Sequence, residues 1–332
     1  MRVAVVSGHA NPLGALGREK ADGHNVHVAA LAAGLVRDGH DVTVYTRRYH
    51  YETSERVHRD GFVVEHVPDG PPAEVASAGL VFVGCTEDAH EDHDLRLPEG
   101  RARVIPCGVD TDLFRPGPGP FTDRLRLLSM GRMVPGEGME NAIEALAHLV
   151  HEEGLDAELV IAGGPSRSRL AVDTDAIRLR QLAIRHHVAG RTIFQGSVAP
   201  DEVPWLVRGS DVVVAVPWYE PFATAPVEAM ACGRPVVGTS VGGVGETVIP
   251  GVTGDLVSPR RPDELAQTLA SLLRDPVRRR RYGDAARDHA VARYDWRRVL
   301  STSGTAGDST LLRAPEPRPE PRPCLSNPRL RR

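Results

Sequence analysis

Val214-Ala-Val-Pro-Trp-Tyr-Glu220-Pro-Phe-Ala-Thr-Ala-Pro226-Val-Glu228-Ala-Met-Ala-Cys-Gly233-Arg-Pro-Val-Val-Gly238 is the stretch whose reading decides the fold. The apolar run from Val212 to Val216 reads as a buried parallel strand, followed by a polar loop, a short helix opening at Pro226 and a second apolar strand from Pro235. Proline suits the first helical position because its missing N–H has no intrahelical partner there, and Gly233 suits the left-handed residue that closes a helix. Glu220 is thereby placed in the loop beyond the carboxyl end of a strand, and Glu228 in the first turn of the helix. Ligands bind along that edge in open α/β sheets. The plainer alternative makes Glu228 a complement to the helix dipole and Glu220 a solvated loop charge.

The pattern repeats outward from this unit. Leu125 to Gly131, Glu158 to Gly163, Thr192 to Gly196, Asp211 to Val216, Pro235 to Thr239 and Gly254 to Val257 read as strands. Helical spacings over Met139 to Glu153, Asp175 to His187, Pro200 to Arg208 and Arg261 to Arg274 separate them. Strands alternating with helices predict a parallel sheet wound on both faces. Toward the N-terminus, Arg2 to Ser7, Asp41 to Thr46 and Phe62 to Val67 are strand candidates, with a helix from Asn25 to Arg37. The glycine-bearing loop after the first strand can offer backbone N–H groups to a phosphate, or be a plain strand-to-helix turn.

The run from Glu220 to Val237 resembles the E-P-F-G-x-x-x-x-E-A-M-A-x-G-x-P-V-V signature of family 4 glycosyltransferases, whose fold is GT-B: two Rossmann-like doubly wound α/β domains. The resemblance covers nearly all of Leu125 to Leu300, and the opening loop with Val26-His-Val-Ala-Ala-Leu resembles actinobacterial members that transfer N-acetylglucosamine to inositol phosphate. It implies a truncated N-terminal acceptor-side domain over residues 1–115, a C-terminal nucleotide-sugar domain over 116–300 with a crossover helix from Tyr294, and a disordered Pro/Arg-rich tail over 301–332. The truncation is read from Pro68-Asp-Gly-Pro-Pro-Ala, which runs almost directly into Ala78 to Cys85 and then into the inter-domain segment from Arg103. About half of a doubly wound domain is missing between them, by the usual size of such domains.

By the same resemblance Glu220 contacts the donor sugar, Arg132 neutralises the leaving diphosphate, and Glu228 holds the ribose. Gly23, Glu137, Gly163, Val198, Phe222, Ala223 and Thr224 fall at further substrate-binding positions, Val198 beside the base. Three of the matches depart from the family. Asp22 replaces the first of a doubled glycine, Glu137 stands where a lysine assists Arg132, and Ala223 stands where a glycine lets the backbone approach the ligand. Exchanging a cation for an anion reverses an interaction of about 4 kcal/mol at an effective dielectric of 20, before solvent competes. The histidine that the family aims at the donor sugar has no counterpart, since His90 and His93 read as solvated loop residues.

A length of 332 residues allows two cores, and a net charge of −4 with both signs interspersed excludes nucleic acid as the main partner. Cys85, Cys107, Cys232 and Cys324 form neither a disulfide framework nor a metal-ligand spacing, which predicts a cytoplasmic chain. No apolar run has the length of a membrane span, which leaves peripheral membrane contact open. The expectation is a retaining glycosyltransferase acting on a nucleotide sugar, with a UDP-sugar as the default donor substrate, an unspecified acceptor, no metal and no cofactor. A non-catalytic descendant that only binds nucleotide or another protein is the competing reading, drawn from Asp22, Glu137, Ala223 and the shortened N-terminal domain. A sugar-nucleotide epimerase fits the architecture but not the Glu220 to Glu228 signature. Sheet edges left open by the missing strands favour self-association.

Overall fold

The computed structural model describes residues 2–7, 23–47, 56–67, 80–83, 102–103, 106–220 and 223–304. Asp22, His90, His93, Phe222 and the expected tail beyond 304 lie outside them. The described chain forms two six-stranded sheets.

The first sheet comprises β1 (Arg2–Ser7), β2 (Asp41–Arg47), β3 (Arg56–Arg59), β4 (Phe62–Val67), β5 (Leu80–Val83) and β6 (Ala102–Arg103), in the order β3-β4-β2-β1-β5-β6. Helix α1 (Gly23–Arg37) connects β1 to β2 and opens two residues earlier than the sequence spacing places it. All neighbours are parallel except β3 and β4. That pair is a hairpin not read from the sequence. Asp60 and Gly61, with φ of 48° and 86°, make a two-residue turn in which both central residues are left-handed, the geometry that matches strand twist. The Asp-Gly pair was its signal. Positions 68–79 join β4 to β5, and α1 is the one described helix between the strands of this sheet.

The second sheet comprises β7 (Leu125–Met130), β8 (Ala157–Ala162), β9 (Thr192–Gly196), β10 (Val212–Ala215), β11 (Val236–Thr239) and β12 (Gly254–Val257). It is wholly parallel, in the order β12-β11-β10-β7-β8-β9. Each strand falls within a residue or two of its expected place, because a strand buried on both faces is a continuous apolar run. The helices are α2 (Met139–His151), α3 (Thr174–Arg185), α4 (Val203–Arg208), α5 (Thr224–Ala231), α6 (Gly242–Thr247), α7 (Pro262–Leu273), α8 (Pro276–Arg293) and α9 (Trp296–Gly304). On α2, Met139, Ala142, Ile143, Leu146 and Leu149 recur at three- and four-residue intervals and are all buried, with Leu159, Leu265 and Leu269 in the same apolar cluster. Asp173 and Asp275 cap α3 and α8 by accepting from the N–H groups of Ala176 and Arg278, each at 2.9 Å.

The chain closes back on its first half. Tyr294 O accepts from Val109 N–H at 2.7 Å, and Val109 O accepts from Trp296 N–H at 3.2 Å. Asp295, between them, is buried and accepts from the Thr111 hydroxyl and from Nε and an NH2 group of Arg297, both at 3.0 Å. The Arg297 guanidinium holds the Asp295 carboxyl down at about 2, against the cost of burial. Helix α9 then packs on α1, where Val299 joins the core of the first sheet and Leu300 fills the space that a side chain at Gly34 would need. This helix runs to Gly304, past the expected stop at Ser301.

Candidate functional site

In the second sheet the first strand in sequence, β7, lies between β8 and β10, so the chain winds outward to one side and then to the other. The crevice at the carboxyl ends of β7 and β10 is the switch point at which such sheets bind ligands. A pocket lies there. Ser129, Met130 and Gly131 at the end of β7 form one wall, while Pro217, Glu220 and Thr224 following β10 form another. Arg132 and Glu137 line it from the loop that joins β7 to α2.

That loop is tightly held. Gly131 N–H donates to Ala162 O at 3.0 Å, and Trp218 N–H donates to Gly136 O at 2.8 Å, tying it to the strands on either side. Gly138, with φ of 78°, lies so close to the end of β10 that a Cβ there would come within 1.8 Å of Val216 O. Only glycine meets both demands. Within the loop, Glu137 Oε1 accepts from Arg132 Nε at 2.9 Å and from an Arg132 NH2 group at 2.8 Å. The Glu137 side chain is 16% exposed and that of Arg132 65%, so the carboxylate belongs to the wall and the guanidinium to the mouth.

Glu220 is fixed by its backbone. Gly243 N–H, in the first turn of α6, donates to Glu220 O at 2.7 Å, and the Glu220 carboxylate takes a long 3.4 Å bond from Ala223 N–H. Ala223 is itself left-handed, φ 49° and ψ 38°, and caps α5 without a side-chain hydrogen bond. Its methyl is buried in the apolar cluster behind the pocket, so the expected crowding at the ligand takes the form of a strained backbone at the helix start. Thr224 is the first residue of α5 and lines the pocket.

Two details of the reading around Pro226 are corrected. Helix α5 begins at Thr224, so Pro226 is its third residue, where the missing N–H is still one of those without an intrahelical partner. Glu228 is consequently the fifth residue, in the second turn, and the helix has no acidic residue in its first. The helix-dipole alternative for Glu228 loses its basis. Glu228 is partly buried, and desolvation pushes its carboxyl up to about 7. Gly233 closes the helix as anticipated, with φ of 72°.

The pocket thus brings together Arg132, Glu137, Glu220 and Thr224, and among the described residues its lining does not include Gly23, Gly163, Val198, Ala223 or Glu228. Ala223, at the N-cap of α5, packs in the apolar cluster, and Glu228 lies in α5 outside the described lining. Val198 packs against the apolar cluster that holds Ala223. Gly163, with φ of 113°, supports the loop from below, since a Cβ there would meet Gly131 O at 2.1 Å. Gly23 is the first residue of α1, on the other sheet. Sequence reasoning missed Ser129, Pro217 and Val244 as lining residues, although the first two mark strand ends at the ligand edge. It also missed the stack of the Arg260 guanidinium on the Trp218 ring, 3.9 Å from its centre, next in sequence to the pocket-lining Pro217.

Among the described residues no helix is long and apolar enough to cross a membrane, and Cys107 and Cys232 are buried free thiols. The fold is shared with solved glycosyltransferase structures. Sucrose-phosphate synthase from Thermosynechococcus elongatus superposes with a TM-score of 0.70 at 23% identity, over 91% of this chain and 97% of that one. Anabaena Alr3699/HepE in complex with UDP and glucose gives 0.67 at 18% identity, over 91% and 98%. In sequence, D-inositol 3-phosphate glycosyltransferase of Acidothermus cellulolyticus is 35% identical over 234 residues, and glycogen synthase of Mycobacterium tuberculosis 33% identical over 224. These matches cover 67% and 66% of this chain, and the chain spans about half the length of the relatives, 51% and 50%. Residues 110–289, which hold the second sheet and its pocket, match the family described as glycosyl transferases group 1, and the chain belongs to that family.

Proposed function

We propose that the chain transfers a sugar from a nucleotide diphosphosugar, with a UDP-sugar as the default donor, to an acceptor bound against the first sheet, with retention of anomeric configuration. The observation that carries this reading is the convergence of Arg132, Glu220 and Thr224 on one pocket at the switch point of a group 1 glycosyltransferase sheet. Anabaena Alr3699/HepE, which shares the fold, was solved with UDP and glucose. In this reading Glu220 orients the donor sugar, Arg132 takes up charge on the leaving diphosphate, and Glu228 binds the ribose. Val198 packs near the base, and Phe222, Ala223 and Gly163 shape the backbone around the donor, with Gly23 at the acceptor-side loop. No resident metal or cofactor is assigned. The chain is placed in the cytoplasm, where sugar nucleotides are available.

The test is a thermal-shift titration with UDP, GDP, ADP and their sugars, followed by transfer assays with the nucleotide that binds. A ligand bound only by the folded state raises stability by about 2.7 kcal/mol at a hundredfold excess over Kd. A cooperative melt unmoved by all of them refutes the reading. The anomeric proton coupling of a transfer product reports retention or inversion. A second reading, a nucleotide-binding protein without transfer, is favoured by one observation: the guanidinium assigned to the leaving group is already held by Glu137. Binding without transfer to any acceptor or to water selects it.

A further inference from the structure

We infer that Glu137 sets the selectivity of the pocket: by occupying Arg132 it moves recognition off the diphosphate and onto the nucleoside and sugar ends of the donor. This rests on the nucleotide-sugar reading of the same pocket. The charged side chains that line it among the described residues are Arg132, Glu137 and Glu220, one cation against two anions. The cation donates through Nε and an NH2 group to a single carboxylate oxygen of Glu137. A diphosphate that enters must therefore take the guanidinium from an anion already in contact with it, and must then lie beside that anion and beside Glu220. An uncharged nucleoside meets neither cost.

Glu137 has little freedom to withdraw. Its side chain is largely buried, and its own N–H turns back to Val134 O at 3.4 Å. The residues on either side are tied to the end of β10, Gly136 by the hydrogen bond from Trp218 and Gly138 by its close approach to Val216 O. Arg132 is the mobile partner, being mostly exposed. A bound phosphate can draw Arg132 outward, and the largely buried carboxylate then loses its two hydrogen bonds from the guanidinium.

Isothermal titration of the full chain with uridine and UDP, guanosine and GDP, and adenosine and ADP tests the proposal. In the native chain the diphosphate is expected to change affinity for the preferred nucleoside by less than about fivefold, as for a weak exposed ion pair. In Glu137→Gln the diphosphate should add about tenfold or more, the range of a hydrogen bond to a charged group. A native chain that already prefers the diphosphate by that margin, with no further gain in Glu137→Gln, overturns the proposal. If that variant does not fold, Arg132→Gln decides: the ratio of diphosphate to nucleoside affinity should hardly move, and a tenfold fall refutes the inference. Failure of every nucleoside and nucleotide to bind a cooperatively melting chain removes the nucleotide-sugar reading itself, and the proposal with it.

Discussion

Replacing Glu228 by glutamine isolates the consequence of burying a carboxylate in the second turn of α5. Burial pushes its carboxyl up to about 7 from an ordinary 4.5, so the folded chain binds a proton more tightly there than the unfolded chain does. The sign follows from linkage: the folded state is favoured in full below about 4.5, and the advantage is lost as pH rises through about 7. A difference of about 2.5 pH units at 1.36 kcal/mol each corresponds to roughly 3 kcal/mol. Part of the residue's surface is open, which makes that an upper figure. The Glu228→Gln variant keeps the shape without the ionisation. It should therefore match the native chain near pH 4 and exceed it near pH 8 by up to about 3 kcal/mol, or roughly 6 to 12 °C in Tm for a domain of this size. Thermal melts of both proteins across that range make the comparison. Parallel curves, or a variant that falls below the native chain at pH 8, would show that Glu228 is not desolvated and would remove this account of it.

Ala223→Gly should change stability by less than about 1 kcal/mol, because relief of the left-handed Cβ penalty at the cap of α5 is offset by loss of a methyl buried in the apolar cluster; urea denaturation with unchanged m would show it. Gly138→Ala should cost 3 kcal/mol or more by the strain of a Cβ against Val216 O. The loss should be accompanied by weaker nucleotide binding, since Gly131 and Glu137 of the same loop line the pocket and must shift. Asp295→Asn should lower stability at pH 7 by about 2 kcal/mol through the bonds to Arg297 and Thr111. The low folded pKa means that this contribution is present above about 4 and fades toward pH 2, so the two melting curves should converge in acid. Glu220→Ala should weaken binding of a UDP-sugar more than binding of UDP, with little change in Tm; equal losses for both ligands would take Glu220 away from the sugar.

Much of this molecule was legible without coordinates. Val212 to Val216, Glu158 to Gly163 and Pro235 to Thr239 are apolar runs bounded by glycine, proline or charge, and the structure makes each a strand within a residue or two. Such runs are local properties of the chain. The position of Glu220 was local too, since a loop after a strand of a parallel sheet emerges at the ligand edge whatever surrounds it. The start of α5 was misplaced by two residues because the left-handed turn at Ala223 begins the helix before Pro226, and nothing in an alanine announces that conformation. The β3 to β4 hairpin was overlooked although Asp60-Gly61 signals it, because Arg56-Val-His-Arg lacks the apolar content sought in a strand.

By itself, then, the order of residues determined the alternation of strands and helices, the doubly wound class and the loops that hold the candidate chemistry. Those follow from the periodicity of apolar side chains and from backbone preferences acting over a few residues. Only the tertiary structure decided that β7 and β10 are neighbours, although 80-odd residues separate them in sequence, and that their ends open the pocket. It alone decided that Glu228 and Val198 stand outside that pocket while Glu137 turns back onto Arg132. Strand order and the pairing of side chains are set by packing between distant segments, and no local pattern carries that information.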